Sequence, residues 1–308
     1  MKLNDPTFTD EAKARAYFEA RRWPNGPFCT HCGETVRVYA LNGKATRPGL
    51  FHCNSCSGQF TVMTGSVMES SHLPLTKWAL GFSLMTASKN GISAHQLHRN
   101  LGITYKAAWF MAMRIREAMA PANSSPLGGE GKIVESDETE LSPSHKTKRR
   151  PGRKNKKFVS LIERGGRVRS QVVTGADKPI GIEIQEALHA HLDLATNLHT
   201  DGAGWYKFTG FTHESVDHNK THVRTTPEGV KVHTNSAEGY FSIFKRGLVG
   251  TYQHMSEQHS PRYLNEFDIR MSNRARLGAN DEMRASRAIK GAEGIRLTYR
   301  QPNRSQGA

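Results

Sequence analysis

The sequence predicts a mixed α/β domain preceded by a small β-rich unit and a helical segment. Three observations carry this. Two Cys-x-x-Cys pairs lie in a Gly- and aromatic-rich stretch over 27–62, apolar residues recur at helical spacing over 75–119, and strand-like and helical patterns alternate after residue 131.

A short helix is expected from Glu11 to about Arg22, closed by a turn at Pro24-Asn25-Gly26, and the alternation in VRVYAL reads as strand. In LTKWALGFSLMTASK, Leu75, Trp78, Ala79, Phe82 and Met85 fall on one helix face. Pro121 to Gly131 is rich in Pro, Gly and Ser and reads as a linker. GKIVESDETEL, KKFVSLIER and RVRSQVVT read as three consecutive strands. They are followed by a helix at Ile180–Leu192, a strand at Asn197–Thr200, and helices near Asn235–Leu248 and Pro261–Arg276. From about Leu277 the chain is polar and is expected to be mobile. The expected domains are therefore 1–65 (helix and β-rich unit), 66–120 (helical), 130–277 (α/β) and a tail at 278–308.

Lys and Arg number 43 against 28 Asp and Glu, a formal charge of +15, which implies a polyanionic partner. No apolar run reaches the roughly 20 residues a bilayer span needs, and MKLNDPTFTDEAKARAYF lacks a signal peptide's apolar core. A cytoplasmic protein with no membrane partner is the expectation, and in that compartment cysteines serve as thiols or metal ligands.

The four cysteines of the chain are Cys29, Cys32, Cys53 and Cys56, two CxxC pairs separated by 20 residues. Two-residue spacing lets each pair present two thiolates to one tetrahedral ion, so a structural Zn2+ is expected. Gly33 and Gly58 suit the tight turns of such knuckles. His31 and His52 read as neighbours, since four sulfurs already close the site.

GISAHQLHRNLGITYKAAWFMAMRIREAM reads as a helix-turn-helix. Ser93 caps a first helix, Gly102 takes the left-handed turn position, and Thr104 caps a second helix. Ala108, Met111 and Ile115 form its apolar face, leaving Lys106, Arg114 and Arg116 as candidate phosphate contacts. A plain helical hairpin is the alternative. In the α/β region, Asp137 ends a strand, Asp201 follows another, and Asn235 and Glu238 open a helix whose same stripe carries Ser242 and Lys245. Alternation puts Asp137 on the face of Glu135, opposite Ser136 and Glu138. Such hard oxygen donors select Mg2+ or Mn2+, the ions of phosphodiester chemistry.

CTHC…CNSC, ESDET, HTDGAGWY, VDHNKTHV, HTNSAEGYFSIFKRGLVGTYQHMS and YLNEFDIRMSNR, spanning about Phe28 to Arg276, together resemble the insertion-sequence transposases that carry an N-terminal zinc ribbon and a DDE-type, RNase H-like core. The resemblance implies an RNase H-like mixed sheet preceded by a zinc ribbon and a helix-turn-helix segment. It implies a transposase that binds the ends of its element in double-stranded DNA, as a homo-oligomer on nucleoid DNA, and cuts and joins strands. It puts the first catalytic acid on Asp137, the second on Asp201, and the third on either Asn235 or Glu238; Lys245 matches the family's downstream Lys, and Glu266, Arg270 and Arg274 a Glu/Arg/Arg pattern. Phe241 stands where the family usually has Trp, and Glu140 and Ser142 where it often has an aromatic and a Gly. Arg246, Arg270 and Arg274 are expected on DNA. So are Lys148, Arg149, Arg150 and Arg153 in the basic stretch SHKTKRRPGRKNKK, where counterion release favours phosphate. The rival expectation is an inactive DNA-binding regulator that keeps the ribbon and the helix-turn-helix.

Overall fold

A computed structural model describes residues 3–121, 125–141 and 156–297. The chain forms two compact units, one of residues 1–120 with 280–308, the other of residues 121–279.

In the first unit, helix α1 (Glu11–Arg22) starts where Asp10 accepts the N–H groups of Ala12 and Lys13. Strands β1 (Val38–Ala40), β2 (Phe51–Cys53) and β3 (Gln59–Phe60) form an antiparallel sheet in the order β1-β2-β3. Its apolar content is one aromatic cluster: Trp23 meets Phe51 and Phe60 edge-on at 5.4 and 5.8 Å, and the two Phe rings stack at 5.6 Å. Helix α2 (Leu75–Ala87) follows Pro74 and has no cap of its own; the Glu11 carboxylate accepts its first N–H groups, Leu75 at 2.8 Å and Thr76 at 3.2 Å.

Helices α3 (Ala94–Leu101) and α4 (Tyr105–Ala118) are built as expected: Ser93 accepts from Gln96 N–H, Thr104 from Ala107 N–H, and Gly102 is left-handed at φ 62°. Only glycine takes that turn without strain. His98 Nδ1 reaches Ile103 O at 2.6 Å across the corner.

The polar tail differs from its expectation. It carries helix α8 (Asp281–Lys290), capped by Asn280 and packed on α1, α2 and α4. Ala285, Ala288, Ile289 and Ala292 are buried. A face this small in side-chain volume is overlooked in a segment otherwise rich in charge.

The second unit holds a five-stranded mixed sheet in the order β6-β5-β4-β7-β8. Strands β4 (Ile133–Leu141), β5 (Lys156–Glu163) and β6 (Val168–Val173) form an antiparallel meander. After the crossover helix α5 (Ile180–His191), β7 (Asn197–Thr200) joins β4 in parallel, and β8 (Thr212–Ser215) joins β7 in parallel. β8, with sequence THES, was not expected; four polar residues carry no alternation to read.

Alternation along β4 divides its contacts. Val134 joins the core formed with Val159, Leu161, Ile184, Leu188 and Leu198, on the α5 side of the sheet. Residues of opposite parity face helices α6 (Asn235–Gly247) and α7 (Ser260–Ser272), where Phe158 meets Phe244 edge-on at 5.4 Å. Asp268 of α7 accepts the Ser170 N–H of β6 at 2.7 Å. A two-stranded ribbon, β9 (Arg224–Thr225) and β10 (Lys231–Val232), precedes α6. Among the described residues, no helix is long and apolar enough to cross a membrane.

Candidate active site and metal centres

The site lies where the carboxyl end of β7 meets the middle of β4; Asp137 does not end its strand as expected but is the fifth of its nine residues. In the parallel register Glu135 is level with His199, so continuing it by two residues brings Asp137 level with Asp201. β7 ends at Thr200 and its chain turns away through Gly202 at φ 86°, leaving the β7 side of Asp137 open beside Asp201.

One correction to the sequence expectation arises here. Ligand oxygens of Asp137, Glu138 and Asp201 all lie within 4.8 Å of one another, although Glu138 belongs to the opposite strand face. Asp137 Oδ1 accepts the Glu138 N–H at 2.8 Å, which turns its carboxylate along the strand. β4 runs past the end of β7, so no neighbouring strand separates Glu138 from Asp201. On its own face the Glu138 carboxylate accepts from Trp205 Nε1 at 2.6 Å and from the Tyr206 hydroxyl.

Desolvation, with the charges of Asp201 and Glu238 adding to it, pushes the half-buried Asp137 carboxyl up to about 6, against the opposing Glu138 N–H bond and His218. Desolvation likewise pushes Glu138 up to about 7, with Tyr206 and Trp205 opposing and Asp201 and Asp137 reinforcing. The donor set is all oxygen, so the residues fit a hard divalent ion.

The α6 helix is fixed to the same strand by Glu135. This carboxylate is fully buried and accepts from Ser236 N–H (2.7 Å), Ala237 N–H (3.3 Å) and Ser236 Oγ (3.1 Å), with Arg164 Nε at 2.9 Å. Thr234, the residue before the helix, gives no side-chain cap. Glu135 does so instead, two residues from Asp137 on the same strand face, and thereby sets where Glu238 stands. Sequence reading grouped Glu135 with Asp137 but missed this cap, because the contact spans 101 residues.

Of the two candidates for the third position, Glu238 is close enough for its charge to raise Asp137, and its Oε1 lies 3.4 Å from His218 Nδ1. Asn235 is exposed at the first position of α6, its N–H reaching His233 Nδ1 at 3.4 Å. Asn235, Glu238, Ser242 and Lys245 form one exposed stripe. Lys245 stands two turns, about 10 Å, along the helix from Glu238.

The cysteine quartet closes as its spacing predicts. All four sulfurs lie within 4.8 Å of one another, with Cys29–Cys56 at 3.6 Å and Cys32–Cys53 at 3.7 Å. Thiolates around one tetrahedral zinc stand roughly 3.8 Å apart, so the donors fit that ion. Gly33 takes a left-handed φ of 80°, but in the second knuckle Ser57, not Gly58, has this conformation, at φ 58°. Gly58 is needed for space: a Cβ there would stand 2.8 Å from the His31 ring and 3.2 Å from Cys56 Sγ. Bonds from Ser55 Oγ and from the Val36 and Arg37 N–H groups hold the Glu34 carboxyl down to about 2 and join the two knuckles.

Three arginines expected on phosphate are corrected by burial: Arg114, Arg116 and Arg270 are 8%, 2% and 8% exposed. Arg114 donates to Glu69 O at 3.0 Å, and Arg116 lies within the packed second half of α4. Arg270 forms a buried ion pair with Glu266, which also accepts from the Tyr252 hydroxyl at 2.7 Å. Arg274 is half-buried and donates to Met271 O at 2.7 Å. Lys106 and Arg246 are exposed. Lys148, Arg149, Arg150 and Arg153 lie outside the described residues.

With this geometry in view, comparison with known proteins is specific. Residues 9–59 match the transposase zinc-ribbon domain and residues 125–272 the ISXO2-like transposase domain. A Halobacterium salinarum protein described as an uncharacterized protein in transposable element ISH50 is 26% identical over 283 residues, covering 86% of this chain and 92% of its own. By both modules and their order, the chain belongs to the insertion-sequence transposases that join an N-terminal zinc ribbon to a DDE-type domain.

Proposed function

We propose that the chain binds the ends of its element and catalyses DNA strand cleavage and strand transfer at Asp137, Asp201 and Glu238. The observation that carries this reading is that carboxylate oxygens of Asp137, in the middle of β4, and Asp201, in the turn after β7, lie within 4.8 Å of one another, with Glu238 in the first turn of α6 close enough for its charge to raise Asp137. Asp137, Asp201 and Glu238 would hold Mg2+ or Mn2+, which would supply the positive charge that activates a water or a 3′-hydroxyl and stabilises the leaving oxygen of a phosphodiester.

The chain's own residues prepare for this. Asp137 and Asp201 supply oxygen donors from adjacent strands. Trp205 and Tyr206 hold Glu138 at the edge of the cluster, and Glu135 with Arg164 anchors the helix that carries Glu238. Lys245 and Arg246, exposed on α6, are suited to contact a DNA backbone that reaches the acids. In the first unit, the exposed residues His95, Arg99, Tyr105 and Lys106 of the helix-turn-helix supply the corresponding surface for end DNA. Structural Zn2+ on Cys29, Cys32, Cys53 and Cys56 keeps the ribbon folded.

An inactive regulator would bind DNA without cutting it. Purified protein incubated with supercoiled plasmid is expected to nick it in Mg2+ or Mn2+ and to stop when the ion is chelated. DNA binding with no nicking in either ion would favour the regulator.

A further inference from the structure

A second group of potential ligands borders the carboxylate cluster. Nitrogens of His218 and His222 and an oxygen of Glu238 lie within 4.8 Å of one another. We propose that these three residues bind one transition-metal ion of the zinc class, at a site adjoining the oxygen-lined cluster. Glu238 is also the third acid of the cleavage reaction proposed above, and on that reading one carboxylate serves both groups.

The local backbone explains why the two histidines meet. After β8, Asp217 O accepts the N–H groups of Lys220 and Thr221, at 2.9 and 3.0 Å, closing a single helical turn. The Asp217 carboxylate accepts the Asn219 N–H at 3.0 Å inside it. His218 lies in this turn and His222 just after it, and their ring centroids come within 5.4 Å.

The surroundings of His218 accommodate a ligand-ready tautomer. Its Nε2 lies 3.3 Å from Thr234 Oγ1. Thr234 is buried and, because Glu135 caps α6, its hydroxyl is not spent on the helix. With Nε2–H donating to that hydroxyl, Nδ1 turns its lone pair toward Glu238 Oε1 at 3.4 Å. A lone pair and a carboxylate oxygen at that separation repel unless a cation or proton lies between them. Orientation of a metal-binding imidazole through its other nitrogen is the usual supporting contact.

The donor chemistry separates this site from its neighbour. Two imidazoles and one carboxylate suit zinc-class ions and leave a coordination position open, whereas an all-oxygen cluster suits Mg2+. His222 and Glu238 are exposed, so an ion has a path from solvent.

The test uses full-length protein with its ribbon zinc in place, titrated with Co2+ and followed by visible absorption and calorimetry. One Co2+ per chain is expected, with a nitrogen and oxygen ligand-field spectrum; thiolate charge-transfer bands would mark exchange at the ribbon. Excess Mg2+ should not displace it. His218→Ala and His222→Ala should each weaken binding by roughly tenfold or more, with ribbon zinc content and circular dichroism unchanged. Wild-type protein that takes up no Co2+ outside the ribbon, or variants that bind it as tightly as wild type, would overturn the site and leave His218 as a simple imidazolium partner of Glu238. Cleavage by Glu238→Gln separates the two readings. If it cuts in Mg2+ at the wild-type rate while His222→Ala loses Co2+, the third-acid assignment fails and the metal site stands; the reverse pattern removes the metal site alone.

Discussion

Replacing Asp137 or Asp201 with Ala is expected to reduce strand cleavage by on the order of a thousandfold or more while leaving binding to end DNA nearly intact. On the proposed mechanism each carboxylate is a hard donor to an ion whose charge matters most when negative charge develops on the phosphate oxygens. Losing it therefore raises the barrier to reaction and leaves the ground-state contacts of the helix-turn-helix untouched. Neither residue makes a contact that carries the fold. Asp137 accepts one N–H from its own neighbour, and Asp201 one from Ala203. A gel-shift assay beside a single-turnover cleavage assay separates the two effects. Cleavage at the wild-type rate by either variant would remove that acid from the site.

Cys53→Ser is expected to lose the ribbon zinc and unfold residues 27–62. Zinc binding in such small units amounts to about 10–16 kcal/mol of apparent folding energy at neutral pH. The rest of the ribbon offers little to replace it: three strands of three, three and two residues and one aromatic cluster around Trp23. Cys53 is buried at the end of β2, level with Val38 of β1, so its loss opens the sheet together with the metal site. Elemental analysis should find zinc well below one per chain in the variant, and limited proteolysis should cut first within 27–62. A variant with full zinc content and wild-type protease resistance would show that the ion is not what holds the ribbon.

Features set by local chemistry were legible in the sequence. The two-residue spacing of the cysteines encodes the sulfur cluster. Ser93, Gly102 and Thr104 encode the helix-turn-helix corner, because caps and left-handed turns are decided within three or four residues. Alternation encodes β4 to β6, and Asn197–Thr200 coincides with β7. What was not legible depends on partners distant in the chain. Charge marks Arg114, Arg116 and Arg270 as surface residues until a carbonyl, a packed helix face or Glu266 takes them inside. Glu138 joins Asp137 and Asp201 only because β7 ends before β4 does, and strand length is not written in the alternation. His218 and His222 stood in a quoted motif, VDHNKTHV, whose neighbour Glu238 is supplied by the fold.

The choice between Glu238 and Asn235 tests the account of the active site most directly. Both residues lie on one stripe of α6, but a carboxylate offsets the charge of a divalent ion and an amide does not. The measurement is single-turnover cleavage of a duplex carrying the element's own end, in Mg2+, by wild type, Glu238→Gln and Asn235→Ala side by side. Glu238→Gln should lose cleavage nearly as completely as Asp137→Ala, and Asn235→Ala should retain a measurable fraction of it. Wild-type cleavage by Glu238→Gln, with Asn235→Ala inactive, would contradict the assignment of Glu238 and place the third ligand at the first residue of the helix.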